Sequence, residues 1–220
     1  MIKFEKVFIK YTNAFMSLYN FNCEIKSHTL FVGDFFNGTT AIMRLLAKID
    51  THYEGNIIVD NINIKNIKDN ELDLAYLPER PVLFHHKSIK YNLTYPLKIR
   101  KIKKVIIESK FNALLSEFNL EFLTKKIKRL SLSEQQIIIL LRALMREPKY
   151  ILLEHFFDDF DKNYLELAFK ILNKIKEKSV IIACEKTNNI EFFNNFKTIS
   201  LWKNLTVLWD FLFSFQLFLS

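Results

Sequence analysis

Apolar and polar residues alternate along the first part of the chain, in the pattern of strands that have one face in a core. The alternation covers residues 1–9 and 21–26 and predicts a pair of antiparallel strands. Short runs that are almost wholly apolar come later, at residues 28–32, 150–153 and 179–184. Such runs are typical of parallel strands whose two faces are both covered.

Helical periodicity separates these apolar runs. Helices are predicted over residues 41–47, 88–128, 132–146 and 162–177, and two further strands over residues 55–60 and 74–77. Pro96 is expected to break the second helical stretch, because proline lacks a backbone N–H and clashes with the preceding turn. Short apolar strands that alternate with helices predict an α/β fold with a mostly parallel sheet.

The composition favours one globular domain. The chain has 220 residues, and half of them are apolar, which is enough for a full core without covalent staples. Cys23 and Cys184 are far apart and have no metal-ligand spacing around them, so both are expected to be reduced core thiols. The opening residues alternate like a strand and do not resemble a signal peptide, which favours a cytosolic protein.

The net charge of +8 is open to two interpretations. It is compatible with a nucleic-acid or membrane-surface partner, but we favour a general compositional bias and expect no nucleic-acid partner. The densest basic run, residues 98–104, is interleaved with isoleucines and predicts a solvated helix face.

Residues 205–220 are very apolar but contain Asp210 and are shorter than the roughly 20 residues of a bilayer span. They favour a packed or partner-facing tail over a membrane anchor.

The stretch GDFFNGTT, residues 33–40, has the frame of a phosphate-binding loop. The pattern G-x-x-x-x-G-K-[ST] is matched by Gly33, Gly38 and Thr40, whereas Thr39 stands at the lysine position. A predicted strand precedes the loop and a predicted helix follows it, which is the context that such a loop requires. The alternatives are a phosphate cradle without its cation and a relic loop that binds nothing.

Several further motifs follow in a familiar order. They are LAYLPERPVLF at 74–84, NLTYPL at 92–97, LSLSEQQIIILLRALMREPKYILLEHF at 130–156 and SVIIACEK at 179–186. With the loop at 33–40, the chain resembles the nucleotide-binding domain of ABC transporters over residues 1–204. The resemblance implies a P-loop NTPase, RecA-like core with an N-terminal antiparallel β subdomain and a helical subdomain at about residues 88–146. The apolar tail, residues 205–220, would lie outside this single cassette domain.

The resemblance implies ATP and Mg²⁺ as cofactors and assigns residues to them. Those that would hold nucleotide are Tyr11, stacking on adenine, and Gly33, Asn37, Gly38, Thr39 and Thr40 in the loop. Thr40 and Glu154 would hold the metal. Asp34 adds a negative charge to the loop, and Phe36 replaces a glycine of the family.

The signature motif of the family reaches the nucleotide of a partner domain across a dimer. Here Ser131 keeps the serine that would contact that phosphate, and Glu134 replaces the glutamine. A carboxylate facing a phosphate is unfavourable, so Glu134 is expected to weaken the partner's site. The aspartate of the family's D-loop falls at Asp161.

The positions that carry hydrolysis in this family are all altered. Glu79 stands at the Q-loop glutamine, Glu154 at the Walker B aspartate, His155 at the catalytic glutamate and Glu185 at the switch histidine. His155 titrates near neutral pH, and a buried neutral ring is expected. The adjacent His85 and His86 lack other ligands nearby in sequence and are expected at the surface.

These departures predict an ATP-binding subunit of an ABC transporter that hydrolyses ATP weakly or not at all. Its role would be structural or regulatory. Its expected partners are a transmembrane ABC subunit and a second nucleotide-binding domain, in a homodimer or heterodimer at the inner face of the membrane. One alternative is an active, divergent ATPase that uses Thr40, Glu154 and His155 around Mg²⁺. Another is a nucleic-acid-associated protein of the same fold, outside transport.

Overall fold

The strands form two sheets in this computed structural model, which describes residues 1–11, 15–33, 38–118, 120–158, 160–173, 179–184 and 193–201. The antiparallel sheet contains β1 (Ile2–Tyr11), β2 (Phe15–Ile25), β4 (Glu54–Val59) and β5 (Ile62–Asn63), in the order β2-β1-β4-β5. The parallel sheet contains β3 (Thr29–Val32), β6 (Leu74–Leu77), β7 (Tyr150–Glu154), β8 (Ser179–Cys184) and β9 (Lys197–Ser200), in the order β6-β7-β8-β3-β9.

Within the described residues, five α-helices connect or cover these strands. They are α1 (Thr39–Leu46), α2 (Ile89–Ile99), α3 (Lys104–Glu117), α4 (Leu132–Met145) and α5 (Lys162–Asn173). Short 3₁₀ turns lie at Ile64–Asn66, Glu121–Thr124 and Ile127–Arg129. The predicted α/β fold with a mostly parallel sheet and a separate N-terminal antiparallel sheet is confirmed.

The parallel sheet is covered on both faces, which explains its wholly apolar strands. Along β7, Ile151 and Leu153 join the core that contains α4 and α5, whereas Leu152 joins the core of α1 and the antiparallel sheet. All three side chains are fully buried. Because successive residues of a strand point to opposite faces, both sets must be apolar here.

Pro96 does not break the second helix, contrary to the sequence-based expectation. It lies within α2, which continues to Ile99. A proline near the end of a helix removes only one of its hydrogen bonds, so the remaining turns can hold it. The helix ends after Ile99, and Lys101, just beyond the C-cap residue Arg100, has a left-handed φ of 55°, with the N–H of Ile102 donating to the carbonyl of Leu97 at 3.1 Å.

The basic run at residues 98–104 is solvent-exposed, as predicted. It is not one helix face, however, because it spans the end of α2, the connection and the start of α3. The long strands β1 and β2 also differ from the shorter alternating segments predicted. Register shifts interrupt their pairing, and Lys6 and Asn20 adopt positive φ values of 49° and 47°. Such irregularities shift the face to which later residues point, so the simple alternation is lost.

Cys184 is buried, Cys23 is half-buried, and both are free cysteines. Within the described ranges, no helix is sufficiently long and apolar to cross a membrane. The tail at residues 205–220 and the predicted end of the last helix at 174–177 lie outside the described residues.

His28, just before β3, makes the stability of the fold depend on pH. Its Nδ1 accepts a hydrogen bond from the N–H of Val180 at 3.1 Å, and its ring lies 5.1 Å from that of Phe196, centroid to centroid. Burial lowers the pKa of His28. The unfolded chain takes up this proton near pH 6.5, whereas the folded chain resists it, so this histidine removes stability as the pH falls below that value.

We expect His28→Asn, whose side chain keeps an acceptor, to flatten the acidic side of the stability profile. Urea unfolding at pH 7, 6 and 5 would measure this, because the difference between variant and wild type isolates the one histidine. The wild type should lose more stability than the variant between pH 7 and 5. Parallel profiles would show that His28 is not coupled to folding.

Candidate active site

The candidate site lies at the carboxyl edge of the parallel sheet, where β3, β7 and β8 end side by side. The N–H of Gly33, just after β3, donates to the carbonyl of Cys184 at 3.1 Å, and the N–H of His155, just after β7, donates to that of Ala183 at 2.8 Å. Helix α1 packs against β7 and β8. The first residues after these strands are therefore brought close to the start of α1.

In the described part of the phosphate-binding frame, the backbone turns sharply at Gly38 to begin α1. Gly38 is the N-cap and has a left-handed φ of 91°, a conformation that glycine adopts without steric cost. Thr39 is fully buried, and its hydroxyl lies 3.5 Å from the carbonyl oxygen of Gly33. Thr40 is partly exposed. The threonine at the family's lysine position is thus directed into the protein.

Glu154, the last residue of β7, is buried and accepts a hydrogen bond from the hydroxyl of Tyr76 on β6. Burial, followed by the hydrogen bond and negative charge of Glu154, raises the pKa of Tyr76. The hydroxyl therefore stays protonated and remains a donor. One carboxylate oxygen of Glu154, the predicted metal ligand, therefore already accepts a hydrogen bond within the protein.

His155 has a left-handed φ of 47°, a backbone conformation that is uncommon outside glycine. Its Nδ1 lies 2.8 Å from a carboxylate oxygen of Asp158, and its buried Nε2 has no hydrogen-bond partner among the described residues. Burial lowers the pKa of His155, but the hydrogen bond and charge of Asp158, with the charges of Glu154 and Glu79, outweigh it and raise that pKa overall. These neighbours shift His155 toward the protonated ring, against the direction that burial alone would give. The neutral ring stays a prediction.

Glu79 lies at the surface beyond β6, and its backbone carbonyl is 3.4 Å from the amide nitrogen of Gln136. Gln136 is buried in α4 and donates from the same nitrogen to the carbonyl of Phe156 at 3.0 Å, while its Oε1 has no partner among the described residues. This glutamine connects the segment after β6 with the segment after β7. The charge of Glu79 also acts on His155.

The start of α4 is closed by a capping box. The hydroxyl of Ser131 accepts from the N–H of Glu134 at 3.2 Å, and the Glu134 carboxylate accepts from the N–H of Ser131 at 2.9 Å. The same carboxylate accepts from Lys125 at 2.6 Å and from the hydroxyl of Tyr164 at 2.8 Å. Burial opposes its charge, but these donors lower the pKa of Glu134 overall.

Glu134 was expected to face a phosphate, and this expectation is wrong. Its side chain is only 3% exposed and is folded back on its own helix. Next to it, the hydroxyl of Ser133 pairs with Asp161, donating to its carboxylate at 3.2 Å and accepting from its N–H at 3.1 Å. The expected D-loop aspartate is therefore joined to the start of α4.

The other predicted positions lie at the surface or outside the described residues. His85 and His86 are exposed, as expected, and no group of three metal-binding side chains occurs in the described part of the chain. Asp34, Phe36, Asn37 and Glu185 lie outside the described residues, as does the side chain of Tyr11, whose backbone is in β1. Their assignments stay predictions.

Sequence reasoning did not single out Tyr76, Asp158 or Lys125. Each makes its contact through tertiary packing, and only Asp158 gives a sequence signal, as an acid three residues after a histidine. In chemical terms, the described site combines a glycine-capped helix start, a restrained carboxylate and a histidine held by an acid.

Comparison with known proteins supports the fold and the family. The family model described as ABC transporter matches residues 17–155. The molybdate/tungstate import ATP-binding protein WtpC of Pyrococcus abyssi is 28% identical over 162 residues, which are 73% of this chain and 47% of that protein. The sn-glycerol-3-phosphate import ATP-binding protein UgpC of Bordetella avium is 27% identical over 157 residues, 70% of this chain and 43% of that protein. This chain spans about half the length of such relatives.

Two solved structures show the same fold at low sequence identity. The ATP-binding cassette MJ0796, in a dimer bound to ADP and Pi, has a TM-score of 0.76 at 22% identity over 87% of this chain and 91% of that one. CbiO1 from Clostridium perfringens has a TM-score of 0.75 at 20% identity over 87% of this chain and 81% of that one. With the family match to more than half of its residues, this chain belongs to the ABC transporter family.

Proposed function

We propose that the chain is the ATP-binding subunit of an ABC transporter with impaired hydrolysis, and that its role is structural or regulatory. Residues 1–204 would be one cassette domain, with the helical subdomain at about 88–146. The observation that carries the proposal is Thr39. A complete P-loop has a lysine here that neutralises the β and γ phosphates. In this chain the position is taken by a buried, uncharged side chain next to the carbonyl of Gly33.

The residue at the position of the catalytic glutamate also disfavours hydrolysis. His155 replaces a carboxylate there, and its Nδ1 is paired with Asp158 at 2.8 Å. The other ring nitrogen, Nε2, is buried. A general base must lie within hydrogen-bond reach of the water that it activates, so this burial supports the impaired ATPase over the active alternative.

The residues fit nucleotide and metal only in part. The start of a helix favours phosphate through its backbone N–H groups and its dipole, and Gly38 permits that entry. The hydroxyl of Thr40, a partly exposed residue, and the second oxygen of Glu154 are the groups that would hold Mg²⁺. The lysine's charge is missing from this set, so we expect nucleotide to bind more weakly than in a complete P-loop.

A groove beside β6 is the proposed docking site for a short cytoplasmic helix of a transmembrane ABC subunit. Its volume is about 430 Å³, and it is lined by Tyr76, Pro78, Val82, Pro96, Arg142 and Arg146, among others. Arg142 donates to the carbonyl of Val82 at 2.7 Å, which holds the segment after β6 against α4. Val82 itself is 68% exposed, so it offers apolar surface to a partner.

This docking would place the chain at the inner face of a membrane. A second nucleotide-binding domain, identical or different, would complete the assembly as in the dimeric MJ0796 structures. The names of the relatives cover molybdate, tungstate, sn-glycerol-3-phosphate and spermidine or putrescine. This range gives no basis for assigning one cargo to the transporter.

We expect phosphate release from Mg-ATP by the purified chain to stay at background, because the lysine is missing and the Nε2 atom of His155 is buried. His155→Ala should leave that rate unchanged. The matched control is His86→Ala, which removes an exposed histidine outside the site. The proposal fails if the wild type turns over ATP, His155→Ala abolishes the turnover and His86→Ala retains it. That result would establish the active alternative.

A further inference from the structure

The positive excess of this chain is concentrated in its longest segment without an acidic residue. Residues 80–107 contain eight Lys and Arg residues and no Asp or Glu, whereas the whole chain has 32 basic and 24 acidic residues. The rest of the chain therefore carries 24 residues of each sign and is formally neutral. A general compositional bias would spread the excess along the sequence, so this distribution indicates a localised basic surface.

All eight cationic side chains of this segment are exposed. They are Arg80, Lys87, Lys90, Lys98, Arg100, Lys101, Lys103 and Lys104. Within the described ranges only Lys90 forms an ion pair, with Glu108 at 2.5 Å. The Nζ atoms of Lys87 and Lys98 lie 5.3 Å and 4.5 Å from the ring centroid of Tyr91. The charges thus remain available to an external anionic partner.

Exposed aliphatic side chains are interspersed with these charges where α2 connects to α3. Val105 is 80% exposed, Ile99 61%, Ile106 45% and Ile102 36%. We call residues 98–106 the basic-aliphatic surface. A solvated face gains nothing from four aliphatic side chains in water, whereas a surface that enters an apolar environment does.

We propose that the basic-aliphatic surface binds an anionic lipid bilayer. Its lysines and arginines would be attracted to lipid phosphates, and its isoleucines and valine would enter the boundary between headgroups and acyl chains. Nucleic acid fits less well, because its backbone offers the cations a partner but leaves the aliphatic side chains in water. The proposal depends on charge and exposure alone, so it stands or falls separately from the transporter function.

The position of this surface next to the proposed docking groove is compatible with membrane contact. Pro96 of α2 lines the groove, and Arg100 donates to the carbonyl of Arg146, another groove residue, at 3.4 Å. A bilayer contact here would therefore be adjacent to the place where a transmembrane subunit would dock. The two contacts would orient the chain in the same way.

Co-sedimentation of the full chain with vesicles tests the proposal. We expect binding to vesicles of phosphatidylcholine and phosphatidylglycerol at 7:3, weaker binding at higher salt, and little binding to phosphatidylcholine alone. Lys101→Glu with Lys103→Glu should lower the partition coefficient at least about 25-fold, since each lysine near an anionic surface is worth about 5-fold. The matched control is Lys126→Glu with Lys128→Glu, the same charge change at exposed lysines elsewhere.

A second variant separates insertion from charge attraction. Ile99→Ser with Val105→Ser keeps every charge and should lower the partition coefficient about 10-fold through loss of buried apolar area. Equal losses of vesicle binding in the Lys101→Glu, Lys103→Glu variant and in the Lys126→Glu, Lys128→Glu control would overturn the proposal. Binding would then not depend on the basic-aliphatic surface. Unchanged vesicle binding in the surface variants would also overturn it and direct attention to the apolar residues 205–220. Binding to poly(U) RNA that the charge variant loses and the serine variant keeps, without vesicle binding, would establish a nucleic-acid surface instead.

Discussion

Replacing Thr39 with lysine should raise the affinity for Mg-ATP about 10- to 100-fold. A hydrogen bond to a charged group contributes about 1.5–3 kcal/mol, and the variant restores the one cation that the P-loop pattern requires. The surrounding geometry is suited to it, because Gly38 already has the left-handed conformation that begins α1. The lysine would replace a hydroxyl that lies 3.5 Å from the carbonyl of Gly33.

Isothermal titration of wild type, Thr39→Lys and Thr39→Met with Mg-ATP would measure this gain. Methionine matches the unbranched stem of lysine without its charge, so it controls for changes in packing at a buried position. All three proteins should first show the same cooperative unfolding transition. Equal affinities for the lysine and methionine variants would contradict the assignment of residues 33–40 as a phosphate cradle.

The same variant should bind nucleotide without hydrolysing it. Thr39→Lys leaves the Nε2 atom of His155 buried, so the position of the family's catalytic glutamate still offers no accessible general base. Affinity and turnover are thereby separated within a single protein. Turnover restored by the lysine alone would show that His155 or a neighbouring group can activate water after all.

The fold of this chain could be predicted from its sequence because burial on two faces leaves a strong local signal. The strands at Leu74–Leu77 and Ser179–Cys184 have the bounds that their apolar runs predicted. The antiparallel strands were harder to delimit, since the register shifts near Lys6 and Asn20 interrupt the alternation. The strand at Lys197–Ser200 was not predicted, because its residues are mostly exposed and carry no apolar run.

The candidate site was less predictable, because its chemistry is set by residues far apart in sequence. The Tyr76 hydroxyl donates to Glu154 across 78 residues, and Tyr164 donates to Glu134 across 30. Alignment with a family motif locates a position but does not give the direction of its side chain. Glu134 shows this limit, since its position in the signature suggested a phosphate contact and its partners turn it inward.

The inward orientation of Glu134 has a consequence for the assembly of two cassettes. The family's signature helix uses its start to meet the partner's nucleotide, and here a carboxylate of the same helix is bound to the N–H of Ser131. That carboxylate already complements the positive end of the α4 dipole. A phosphate of a partner domain would therefore meet a helix start that is in part neutralised from within the chain.

Glu134→Ala should accordingly destabilise the fold by about 2–4 kcal/mol. The change removes a buried carboxylate that accepts hydrogen bonds from Ser131, Lys125 and Tyr164. Leaving such donors without a charged acceptor lowers the free energy of unfolding by an amount in this range. Urea unfolding at pH 7 measures the loss. Alanine in place of Glu166, an exposed acid on α5, is the control and should cost less than about 0.5 kcal/mol.

Glu134→Gln should cost less than alanine, because an amide oxygen can still accept from the N–H of Ser131, but it should change the response to acid. The pKa of Glu134 is lowered in the folded state, so its contribution is present above the unfolded value near 4.3 and is lost as the pH falls below it. The glutamine variant cannot show this loss, and its stability should fall less steeply between pH 5 and 3. If alanine and glutamine were both neutral, the carboxylate would not be holding α4, and its start would be open to a partner's phosphate.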